Sequence, residues 1–137
     1  MRLTIKMTIG LLLGFFLIQS SFAEDSINLT GGTLAPASKF TLSFDQLENR
    51  VSYNVNCKIV NNSNEEIIMG FNSEHEYPWK TLNSNSIHNQ GVINPGENIL
   101  AIEYVFKGRN IFLINADQDL PLIIENCTAT AREDGAI

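Results

Sequence analysis

From residue 39 onward, apolar and polar residues take turns along the chain. Phe40, Leu42 and Phe44 interleave with Lys39, Thr41 and Ser43, and farther on Val51, Tyr53, Val55, Cys57 and Ile59 fall opposite Ser52, Asn54, Asn56 and Lys58. Period two marks an extended strand with one buried face. Asn61-Asn62-Ser63-Asn64 then supplies residues that accept turn conformations, and Ile67, Met69 and Phe71 alternate with Glu66, Ile68 and Gly70. The two runs are expected to form a hairpin. In Asn94-Pro95-Gly96-Glu97, proline fixes the first central φ and glycine accepts a positive second one, which predicts a type II turn. Residues 98–106 are apolar on both sides, with Leu100, Ile102, Tyr104 and Phe106 opposed to Ile99, Ala101 and Val105. That suits a central strand covered on most of its length. Lys107-Gly108 is expected to reverse the chain and lay 111–114 beside it, and 120–131 completes the set. The pattern gives about seven or eight strands and no amphipathic helix beyond the N-terminal region, as in an all-β antiparallel β-sandwich.

Cysteine placement sharpens this picture. Cys57 and Cys127 are the only two cysteines, and their wide separation suits a structural disulfide better than the close spacing of redox-active or metal-binding pairs. Closing so long a loop would remove roughly 4 kcal/mol of the unfolded state's entropic advantage. Parity raises a difficulty, because strict alternation with Leu122 and Ile124 on the core side sends Cys127 outward while Cys57 lies on an apolar face. A β-bulge around Glu125 and Asn126 would restore the parity; alternatively Ile123 and Cys127 share the inner face. In either case the bond ties an early strand to the last one, and the arrangement resembles immunoglobulin-like domains in architecture, without their tryptophan or tyrosine-corner spacing.

The first residues set the compartment. Arg2 and Lys6 precede an apolar stretch from Ile9 to Ile18, and Ser21 and Ala23 provide the small residues of a cleavage site before Glu24. Residues 1–23 therefore read as a cleavable secretory signal, too short in its apolar part for a stable membrane span. The chain is expected to be secreted or periplasmic, where thiols oxidise. Removing 23 of 137 residues leaves 114, the size of one domain, and losing Arg2 and Lys6 moves the formal charge from −6 to −8. So acidic a chain is a poor match for nucleic acid or anionic lipid. The expected organisation is a flexible segment over 24–38, the sandwich over 39–131 and a short tail over 132–137.

Chemistry-bearing residues are few. Glu74-His75-Glu76-Tyr77-Pro78-Trp79 crowds acid, imidazole and aromatic side chains between strands. His75, Tyr77 and Trp79 are the candidate binding residues: exposed, the rings would stack on a sugar face or anchor a protein; folded back, Trp79 would cap the sandwich. His75 with the distant His88 is a weak candidate metal pair, lacking a second histidine at strand spacing and the helix of a His-Glu-x-x-His site. Asn115, Asp117 and Asp119 begin like a calcium loop, but Leu120 stands where the sharp-turn glycine belongs and Asn126 where the bidentate glutamate belongs, so a polar turn is expected. No nucleophile elbow is present, and 114 residues leave little room for a deep cleft. The expectation is a non-catalytic binding or interaction module without a cofactor, taking a protein or small-molecule partner. The alternatives are an assembly subunit that swaps the segment 26–38, or a metal-binding periplasmic protein using His75 and His88.

Overall fold

A computed structural model describes residues 26–75, 77 and 79–136; the expected signal and its cleavage site lie outside them. Eleven strands form: β1 (Ser26–Leu29), β2 (Gly32–Leu34), β3 (Lys39–Leu42), β4 (Val51–Asn61), β5 (Ile67–Ser73), β6 (Lys80–Leu82), β7 (Asn85–Ser86), β8 (Gln90–Ile93), β9 (Gly96–Val105), β10 (Ile111–Asn115) and β11 (Leu122–Ala136). They build an all-β fold of two antiparallel sheets. One sheet has seven strands in the order β1-β11-β4-β9-β6-β7 with β2 also on β11, and the other has four, β3-β10-β5-β8. The count exceeds seven or eight because β1, β2, β6, β7 and β8 are only two to four residues long, too short for alternation to register.

The core is the slab between the sheets. Tyr53, Val55, Cys57 and Ile59 of β4 and Leu100 and Ile102 of β9 face Ile67, Met69 and Phe71 of β5 and Ile111 and Leu113 of β10, all buried. The alternation legible in the sequence is thus the alternation between this slab and solvent. Phe44 and Leu47, from the turn after β3, close one end. At the other end three buried asparagines hold the turns. The Asn61 amide donates to the carbonyls of Glu65 (2.7 Å) and Ile93 (3.2 Å), and the Asn115 amide to those of Leu120 (2.7 Å) and Leu34 (3.3 Å). Asn98 reaches the carbonyls of Asn94 (2.8 Å), Gly96 (3.2 Å) and Ile59 (3.3 Å).

Two expected hairpins are arches instead. β4 and β5 belong to different sheets, as do β9 and β10, so 62–66 and 106–110 carry the chain across the core rather than back along the same sheet. Five residues are enough to span the ~10 Å between sheets, and each arch lets a strand with one apolar face bury it against the other sheet. At Asn94-Pro95-Gly96-Glu97 the chain bends as expected into β9, with Gly96 at φ +94.

The segment 24–38, expected to be flexible, supplies two strands. β1 pairs Ser26 with Thr130 and β2 pairs Leu34 with Leu122 in one continuous register along β11. They part at Thr30 and Gly31 because β11 bulges there. Gly31 is required at that point: a Cβ would lie 2.2 Å from the Ile124 carbonyl oxygen.

That bulge is one of the two arrangements parity allows, and the burial of Leu122 and Ile124 together with Cys127 rules out the other. Lys58 pairs with Glu125 but Asn56 with Thr128, so β11 carries one extra residue, and Asn126 adopts φ +49. Cys127 turns inward, buried, and bonds Cys57 on the neighbouring strand with Cα atoms 4.0 Å apart. The disulfide therefore joins adjacent strands of one sheet rather than pinning the two sheets together. A second bulge breaks the predicted parity of β9. Val55 pairs with Ile102 but Tyr53 with Val105, so Val105 is buried with Leu100 and Ile102 while Tyr104 is displaced to the outside.

Candidate functional site

The second bulge assembles a row of side chains across the outer face of the seven-stranded sheet. Outward positions on consecutive strands are Arg132 on β11, Asn54 on β4, Glu103 and Tyr104 on β9, and Trp79 just before β6. Tyr104 sits at φ +59, a region that a bulky residue enters only when its surroundings force it. Its displacement places the ring under Arg132, whose guanidinium lies 3.8 Å from the ring centroid. Arg132 Nη1 also donates to Asn54 Oδ1 at 2.6 Å and lies 3.9 Å from Glu103 Oε2. The Glu103 N–H in turn donates to the Trp79 carbonyl at 3.1 Å, extending the β6 and β9 pairing by one residue.

Chemically the row is a flat, nearly charge-balanced platform. Arg132 and Glu103 offset one another, and Trp79, 53% exposed, is the open aromatic ring at its end. The next positions along the sheet are Thr130, Thr128, Asn56 and Thr81, an amide and hydroxyls that can both donate and accept, with Ala101 between the last two. Farther along, Lys58 bridges Glu97 (3.1 Å) and Glu125 (3.6 Å) across three strands, and the hydrogen bond and charge of Glu97 hold its ammonium above the ordinary lysine range.

The aromatic loop divides in two. Tyr77 is 5% exposed and its hydroxyl donates to the Arg109 carbonyl, so it closes the Phe44 end of the core. Burial pushes that hydroxyl up to about 12, against an opposing pull from Arg109. Trp79 faces out instead, because Lys80 and Leu82 take the inward positions of β6. Lys80 is buried with its ammonium 4.6 Å from the Phe71 ring centroid. Glu76 and Pro78 fall outside the described residues.

His75 is exposed beyond β5, its carbonyl accepting from Ser73 Oγ, and His88 is exposed just ahead of β8. No three His, Cys, Asp or Glu side chains gather to hold a metal ion among the described residues. Asn115 to Asp119 form a self-capped polar turn: Asn115 Oδ1 accepts from Asp117 N–H (2.9 Å), and Asp117 Oδ1 accepts from Asp119 and Leu120 N–H (both 2.8 Å). Tyr104, Arg132, Glu103 and Asn54 have no signal of their own in the sequence. The one clue is the doubly apolar run 98–106, in which a slip of parity is invisible. No protein-family model matches this chain, and no match is found among curated proteins.

Proposed function

We propose that this chain is an exported, non-catalytic binding module that takes a neutral saccharide across the outer face of its seven-stranded sheet. The observation that carries this reading is Trp79, more than half exposed at the end of the Arg132, Asn54 and Tyr104 row. A flat indole gives large contact area to a sugar face at low entropic cost. Amides and hydroxyls beside it supply hydrogen bonds, and the Arg132 and Glu103 pair leaves no net charge to demand an ion in return. The Cys57–Cys127 disulfide fits an oxidising compartment, and no helix among the described residues is long and apolar enough to cross a membrane.

Trp79 is the chain's single tryptophan, so its fluorescence reports directly on the platform. Titration with a panel of soluble oligosaccharides is expected to give a saturable change in emission. Trp79→Ala is expected to weaken binding at least about tenfold without altering the far-ultraviolet circular dichroism. A ligand that saturates the protein while leaving the emission of Trp79 untouched, or turnover of any sugar tested, would overturn the reading.

A second reading, an assembly subunit exchanging its N-terminal strands between copies, draws on β1 and β2 lying at a sheet edge in one register. Removal of 26–34 would then change the mass seen by size-exclusion chromatography, whereas a binding module keeps its mass.

A further inference from the structure

The four-stranded sheet ends on β8, and the backbone of β8 faces outward in a defined pattern. The Phe71 N–H donates to the Asn89 carbonyl at 2.7 Å, continuing the register that pairs Met69 with Gly91 and Ile67 with Ile93. In an antiparallel ladder such hydrogen-bonded pairs alternate with pairs whose amides point away from each other. Gln90 and Val92, opposite Gly70 and Ile68, are of the second kind. The Ile68 carbonyl agrees, since it accepts from Ala116 N–H on the β10 side at 3.1 Å. The N–H and C=O groups of Gln90 and Val92 therefore face out of the sheet, and no described strand pairs with them.

Among the described residues no strand covers this edge, and Gln90-Gly91-Val92-Ile93 contains neither charge nor proline, two of the devices by which edges are blunted. β3, at the opposite end of the same sheet, carries Lys39, with its ammonium 4.6 Å from the Phe112 ring centroid. The flanks of β8 also differ in a way that would select side chains. On the outer face Val92 and Ile68 form an exposed cross-strand pair, 43% and 47% exposed. Along the edge itself lies a groove of about 270 Å³ lined by Val92, Leu82, Ile87, Asn83 and Asn94, with Glu66 as its single charged side chain. Alternate residues of an added strand meet this groove.

We propose that β8 takes up an extended peptide segment of a partner protein by strand addition. The segment is apolar at alternate positions and carries a lysine or arginine that meets Glu66. Charge decides between this occupant and a second copy of the chain: the groove presents one carboxylate, the whole chain has a formal charge of −6, and a second copy would bring further acid to an acidic edge. This surface is separate from the Trp79 platform, so the two readings stand or fall apart.

The test uses the intact, oxidised chain and three capped peptides that alternate valine and threonine: one with a terminal lysine, one with glutamate in its place, and one N-methylated at every second amide. Hydrogen exchange is followed at individual amides. With the lysine peptide, the Gln90 and Val92 amides are expected to slow at least about tenfold, while Trp79→Ala leaves that protection unchanged. Val92→Pro removes only an N–H that points away from β5, and is expected to weaken binding at least about tenfold with the melting midpoint retained. Glu66→Gln is expected to erase the preference for lysine over glutamate. Should Val92→Pro fail to fold, the N-methylated peptide carries the same test from the ligand side and must not bind. Unchanged exchange at Gln90 and Val92 with the lysine peptide at millimolar concentration overturns the proposal, as do equal binding of the N-methylated peptide and protection that falls on β3 instead.

Discussion

Asn98 is fully buried and still makes five hydrogen bonds. Its amide serves three carbonyls, and its Oδ1 accepts from Asn94 N–H (2.9 Å) and Asn83 Nδ2 (2.8 Å). A side chain used in this way replaces a piece of backbone ladder at a turn, and removing it strands several buried groups at once. Asn98→Ala is accordingly expected to cost about 3 kcal/mol, read as a lower midpoint in urea with an unchanged slope. Tyr77 makes a residue-level prediction of another kind. Its folded-state hydroxyl holds its proton up to about pH 12, whereas the unfolded one releases it near the ordinary tyrosine value of 10.0. The raised value means that the contribution is complete below pH 10 and is lost as pH climbs toward 12, because the unfolded chain ionises first. The stability of Tyr77→Phe should therefore fall less steeply than wild type across pH 10 to 12, and parallel curves would refute the assignment.

Among the elements, β11 and β9 show what a single inserted residue does. In β11 the bulge at Asn126 turns Cys127 from the solvent side to the core side, and in β9 the bulge at Tyr104 turns Val105 in and Tyr104 out. The first was legible, because a cysteine that must find its partner cannot sit on the wrong face. The second was hidden, because residues on both sides of 98–106 are apolar and either parity looks acceptable. Deleting Asn126 removes the extra residue, so strict alternation from Ile124 leaves Cys127 on the core side, directly opposite Cys57. The expected outcome is an intact disulfide, with no free thiols under denaturing, non-reducing conditions. Two free thiols per chain in the deletion variant would show that the bulge itself is needed for the pairing.

At the scale of the whole molecule, the disulfide closes a loop across a sequence separation of 70 residues within one sheet. Because the Cys57 and Cys127 strands already pair over much of their length, the bond restrains the unfolded chain more than it adds contacts to the folded one. Replacing both cysteines by alanine should lower the unfolding free energy by roughly 4 kcal/mol in the chain-entropy model, measured by urea denaturation, while circular dichroism of the folded variant stays unchanged. A loss well under 1 kcal/mol would mean that the unfolded chain retains structure around this pair.

The sequence by itself determined the strands with one wet face, the glycine-bearing bend at Gly96 and the pairing of the two cysteines. Each of these depends on neighbours a few residues away or on a pair with no other choice, and period two records which face meets the core. Tertiary structure alone decided that β4 and β5, and β9 and β10, arch between sheets instead of pairing, since a turn of five residues permits both and only burial of each strand's apolar face against the other sheet selects one. It also decided that Tyr77 closes the core while Trp79 faces out, that 26–34 lies along β11, and that Tyr104 meets Arg132 across β4. Those contacts join residues far apart in the chain, and alternation says which side of a sheet a residue takes but not which strand lies beside it.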